Sequence, residues 1–230
     1  MQSQSRREFL NVAALFEGGL LLVAIVVAEL GGFDYGPLLY LTVSDLLWGL
    51  LAVLPMLGGF YLASSVKDEV TELLGASLAA CRWHDLAALG LLAGLGEELL
   101  FRGVLQWSLG GWGAWAAVIT VNLAFGLAHA MSWLYFVFAF IVGIYFSWLF
   151  TGLPGVAIGP DSPSLIRPII AHAVYDFIAF MLIAREYRDQ HRHDDDDLTS
   201  ASGRVEESAG HADAESDADP ECTGEPTTGP

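Results

Sequence analysis

The sequence predicts an all-α fold: a polytopic membrane helical bundle of about six transmembrane helices, followed by a disordered acidic C-terminal tail. Three observations predict it. The chain of 230 residues is 54% hydrophobic, which exceeds what a soluble domain of this length usually carries. Its net charge of -17 is nevertheless concentrated at one end, where Arg185 to Pro230 hold 14 acidic and 4 basic residues. Six stretches also reach the roughly 20 mostly apolar residues that a spanning helix needs.

Those stretches lie at about 10–30, 42–63, 84–108, 112–131, 133–152 and 164–184. The breaks between them carry Gly, Pro or charge, as in "GGFDYGP", "SSVKDEV", "GGWG" and "GLPGVAIGPDSPS". The first stretch follows a basic start, "MQSQSRREFL". It is long and lacks a clear small-residue cleavage site, so it reads as a retained span rather than a signal peptide. Residues 66–83 are polar, with Leu73, Leu74 and Leu78 on one helix face. Two readings stand: a helix along the membrane surface, or an ordinary loop helix. The tail has almost no large apolar side chains and contains the run Asp194 to Asp197, so composition predicts disorder. The divisions are thus 1–83 (two spans and a polar connector), 84–184 (a four-helix membrane core) and 185–230 (the tail).

Charge gives an orientation. Arg6, Arg7, Lys67, Arg82, Arg185, Arg188 and Arg192 fall on one side of a six-span layout, and Arg167 falls on the other. Positive residues collect in the cytoplasm, so both termini are expected to be cytoplasmic in a multi-pass protein of the cell membrane. The acidity fits a basic partner or, more simply, a high-salt cytoplasm in which carboxylates favour solubility. There is no basic patch for nucleic acid and no glycine loop for phosphate. Cys81 and Cys222 supply neither a disulfide framework nor a cysteine zinc site.

From Gly103 to Pro160 there is no Asp, Glu, Lys or Arg, so the polar groups around this stretch stand out. "EELLFR" places Glu98 and Arg102 four apart, on one helix face, where they can pair. Glu97 is turned about 100° away and has no local cation. It reads either as a base in a wet cavity or as a protonated interhelical donor. In "NLAFGLAHA", His129 shares a face with Phe125 and Asn122. In "IIAHAVYDF", His172 and Asp176 are four apart, as a tautomer lock, two adjacent ligands or a polar clasp. Ionisable groups at such depth usually mark a site. Glu97, His129, His172 and Asp176 together could hold a divalent metal or activate a water.

"EELLFR" matches EExxxR, "FGLAH" matches FxxxH and "HAVYD" matches Hxxx(N/D). The three motifs, in this order on separate spans, resemble the CPBP intramembrane protease family, which includes CAAX prenyl proteases and abortive-infection-type membrane proteins. The resemblance covers Glu97 to Asp176. It implies an intramembrane endopeptidase acting on a membrane-associated, prenylated CAAX-type protein. In that picture Glu97 and His129 activate water, His172 and Asp176 stabilise the oxyanion or hold a metal such as zinc, and Glu98 and Arg102 support the site. The family has been described both as metallo and as metal-free and glutamate-dependent. CAAX proteases carry Asn where Asp176 stands; an Asn amide can donate to an oxyanion and an ionised Asp cannot. Two other classes compete. A proton-coupled transporter would use Glu17, Glu29, Asp45, Glu97 and Asp176 as a relay. A non-catalytic chaperone or immunity factor would use the same fold without the chemistry. The linear layout also leaves His129 near the cytoplasmic end of its span, far from Glu97: either the span boundaries lie elsewhere, or the turn "HAMSW" is sunk into the membrane.

Overall fold

The computed structural model describes residues 5–155 and 162–214, with side chains as far as 192. Among the described residues there is no strand. The helices are α1 (Arg6–Gly31), α2 (Val43–Leu62), α3 (Ser64–Ala79), α4 (Trp83–Glu98), α5 (Ala114–Ala128), α6 (Trp133–Thr151) and α7 (Ile166–Ala214). They form a compact unit from Met1 to Tyr187; Arg188–Pro230 is a second unit. The first 83 residues therefore pack within the same unit as the segment expected to be the core.

Helix ends follow local chemistry. Ser5 caps α1 and closes a capping box with Glu8, and Gly32 ends the helix at φ 69°, a conformation that glycine adopts without strain. Thr42 caps α2 and Ser132 caps α6. α1, α2, α6 and α7 to Arg192 are long and apolar enough to cross a membrane, and α5 is a shorter apolar helix. Their outward faces are apolar: Leu15, Leu30 and Leu62 are 79%, 85% and 89% exposed. Water-facing helices do not carry such stripes; lipid covers them.

α4 departs from the single regular span expected over 84–108. It becomes π-helical over Leu99–Gln106, immediately after the two glutamates. Inserted π turns often sit at functional sites. Here the Tyr35 hydroxyl reaches the Leu99 carbonyl at 3.4 Å and that of Ala24 at 3.1 Å. α3 covers the expected polar connector, with Val66, Val70 and Leu78 on its buried side.

One end of the bundle is fastened by ion pairs. Arg6 forms a two-pronged bond with Asp85, at 2.7 Å for each prong, and Lys67 meets Glu186 at 2.9 Å. Elsewhere, Arg167 of α7 pairs with the buried Asp45 of α2 at 2.6 Å, and Thr42 donates to Asp45.

α7 differs from the expectation for 185–230. It continues as helix to Ala214, and 215–230 lie outside the described residues. No Pro or Gly interrupts Arg185–Ser202.

Candidate active site

The site forms where α4 lies against α7. Gly90 and Gly94 make the approach possible. A Cβ on Gly90 would lie 2.9 Å from the Ala173 carbonyl, and one on Gly94 would lie 3.0 Å from the Ala173 nitrogen and the Ile169 carbonyl. Small residues let helix backbones meet this closely. The two glutamates one turn further along are thereby set beside His172.

Glu98 and Arg102 form the expected i,i+4 pair at 3.0 Å, both fully buried. Arg102, whose Nε has no hydrogen-bond partner, is held through both of its terminal nitrogens. It donates to Asn122 Oδ1 at 3.1 Å and to the Gly143 carbonyl at 2.9 Å. The rings of Phe125 and Phe146 flank its guanidinium at 4.6 and 5.2 Å. The chain continues: Asn122 donates to Ser147 at 2.7 Å, and Ser147 donates to Gln106 at 2.8 Å. Sequence reasoning placed Asn122 on the His129 face but missed its bond to Arg102, and it missed Ser147 and Gln106. Their polarity within the charge-free stretch was the available signal.

His172 is fixed at both nitrogens. Nδ1 meets Glu98 Oε1 at 2.9 Å, and Nε2 lies 3.4 Å from Asp176 Oδ2. The Phe146 ring stacks on the imidazole at 4.9 Å. If both carboxylates are ionised, both ring nitrogens must carry protons.

His129 ends α5, and its Nδ1 lies 2.8 Å from the Phe125 carbonyl. A carbonyl only accepts, so Nδ1 bears the proton and Nε2 is left with a lone pair. That Nε2 stands 3.6 Å from Glu97 Oε2. The HAMSW turn is therefore level with Glu97, and α5 ends at Ala128, short of the expected 131. Glu69 of α3 helps hold it there, accepting from Ser132 at 2.6 Å. Glu97 is 5% exposed, and its Oε2 has no hydrogen-bond partner.

Glu97, His129, His172 and Asp176 line one cavity of about 390 Å³, whose other walls are largely apolar and come from α1, α3, α4, Tyr135 and Phe180. Glu17 of α1 also lines it. As a metal cradle, this set offers open lone pairs from Glu97 and His129, whereas both nitrogens of His172 are engaged. Catalytic zinc sites use three protein ligands. Among the described residues, no group of three or more His, Cys, Asp or Glu side chains has a metal-binding arrangement. The proposed proton relay is also interrupted: Asp45 is committed to Arg167, and Glu29 is exposed on α1.

Residues 77–178 match the family model described as Rce1-like, type II CAAX prenyl endopeptidase. This stretch, somewhat less than half of the chain, is similar to that family. No curated protein and no solved structure matches the chain. All six motif residues fall within the matched stretch, as do Asn122, Ser147 and Gln106. The α1 wall of the cavity, including Glu17, lies before it. That family is one of CAAX-type intramembrane endopeptidases; the match supports a protease type at family level, and with the long apolar helices it supports a multi-pass membrane protein.

Proposed function

We propose that the protein hydrolyses a peptide bond of a membrane-associated, prenylated CAAX-type protein, using water activated by Glu97 and His129 without a metal. The observation that carries this reading is the open pair formed by Glu97 Oε2 and His129 Nε2, 3.6 Å apart at the cavity wall. A water between them can give one proton to Glu97 while His129 orients it. Its oxygen then bonds to the substrate carbonyl carbon. His172, anchored through Nδ1 by Glu98, turns its Nε2–H from Asp176 to the developing oxyanion. Glu97 passes the proton to the amide nitrogen as the carbon–nitrogen bond breaks. The apolar surroundings strengthen each of these interactions. Arg102 and Asn122 keep Glu98 in place, and both termini face the cytoplasm by their Lys/Arg bias.

Glu97→Gln tests the assignment. The variant keeps the shape of the side chain but cannot take the proton. Cleavage of a farnesylated peptide should fall below detection while the protein still folds; undiminished cleavage removes Glu97 from the mechanism.

A further inference from the structure

The cavity has an unbalanced inventory of charge and of hydrogen-bond donors. Among the described residues, three carboxylates line it, from Glu17, Glu97 and Asp176, and no Lys or Arg does. The nearby histidines are already committed. Nδ1 of His129 is spent on Phe125, and both nitrogens of His172 are held by Glu98 and Asp176. Two buried carboxylate oxygens, Glu17 Oε2 and Glu97 Oε2, have no hydrogen-bond partner. The mechanism uses Glu97 but leaves Glu17 without a task.

Glu17 is not a loose surface group. Its backbone is set against α4 so closely that a Cβ on Gly96 would lie 2.9 Å from the Glu17 carbonyl. Gly96 immediately precedes Glu97, so the two glutamates enter the same cavity from neighbouring helices. A carboxylate oxygen kept from water and given no donor is costly. The one cation that the described wall supplies, a doubly protonated His172, is spent on Glu98 and Asp176, so a ligand that brings its own cation satisfies Glu17 best. An anionic group in the same place meets like charge on three sides.

We propose that Glu17 forms an acidic subsite that takes a Lys or Arg side chain of the substrate close to the scissile bond. This rests on the hydrolytic reading of the cavity and adds a preference in substrate sequence. The surrounding apolar wall suits the aliphatic stem of such a side chain, with its charged end directed to Glu17.

The test uses the full chain in lipid nanodiscs and farnesylated CAAX-type peptides. Each residue flanking the scissile bond is varied in turn to Lys, norleucine or Glu. At one position kcat/KM should rank Lys above norleucine by about tenfold, the scale of a hydrogen bond to a charged group, with Glu lowest and KM carrying the difference. In Glu17→Gln, the Lys and norleucine peptides should fall within about twofold of each other. The wild-type ranking stands as a test even if the variant does not fold. Equal cleavage of Lys and norleucine peptides at every position overturns the subsite, as does a preference that survives in Glu17→Gln. A ranking abolished by EDTA places a bound cation on Glu17 and overturns it too. No cleavage of any peptide by wild type overturns the hydrolytic reading, and the subsite with it.

Discussion

Replacing Arg102 with Met tests how the site is held together. Arg102 is fully buried and bonds to Glu98 at 3.0 Å, Asn122 at 3.1 Å and the Gly143 carbonyl at 2.9 Å. Arg102 and His172 share one oxygen of Glu98; the other has no partner. Without Arg102, a buried carboxylate keeps a single donor. Breaking such a pair from one side costs about 3–5 kcal/mol. In Glu98→Gln/Arg102→Met, the stranded charge is gone, so roughly 2 kcal/mol or more of that loss should return. Activity should not return with it, because His172 has lost its anionic anchor. Unfolding of the purified protein in mixed micelles, by SDS titration, measures the first quantity. Cleavage of a farnesylated peptide measures the second. A double variant no more stable than Arg102→Met would refute the charge argument, and full activity in either variant would refute the anchoring role.

Other perturbations separate packing from chemistry. Gly94→Val puts a branched side chain against α7 backbone 3.0 Å away; it should cost about 1–3 kcal/mol and lower cleavage more than tenfold, as micelle unfolding and kinetics would record. Asp176→Asn keeps an acceptor for His172 Nε2 and should retain cleavage within about tenfold, whereas Asp176→Ala should lose more; steady-state kinetics decide. Asp45→Asn weakens the 2.6 Å pair with Arg167. It should lower stability by about 2–4 kcal/mol while leaving KM unchanged in the folded fraction, and a raised KM would tie Asp45 to substrate.

Much of this arrangement was legible in the sequence for a definite reason. Residue spacing along one helix fixes which side chains share a face, so Glu98 with Arg102 and His172 with Asp176 could be paired in advance. Spacing says nothing about how two helices are turned relative to each other. The bonds from Asn122 to Arg102, from Ser147 to Gln106 and from Asp45 to Arg167 all cross helices and stayed hidden. Gly90 and Gly94, four apart before the glutamates, were a usable sign of close approach. The π turn after Glu98 left only a faint mark, because the single Gly103 within Leu99–Gln106 is compatible with ordinary helix. The depth of His129 was ambiguous for a related reason: an uncharged turn suits either the bundle centre or its edge. The α7 extension escaped a reading based on composition alone.

The shortness of α5 has a consequence for the surrounding lipid. Its 15 residues rise only about 22 Å, against about 30 Å for a hydrocarbon core. Trp112 and Trp115 lie exposed at one end, and Met131 and Trp133 at the other. Tryptophan prefers the headgroup level. With Trp115 and Trp133 both at that level, α5 matches a bilayer that is thinner beside it by roughly 8 Å. The thinned patch borders the turn that carries His129. The fold thus lowers the water boundary towards a buried carboxylate, which spares Glu97 from having to rise to meet it.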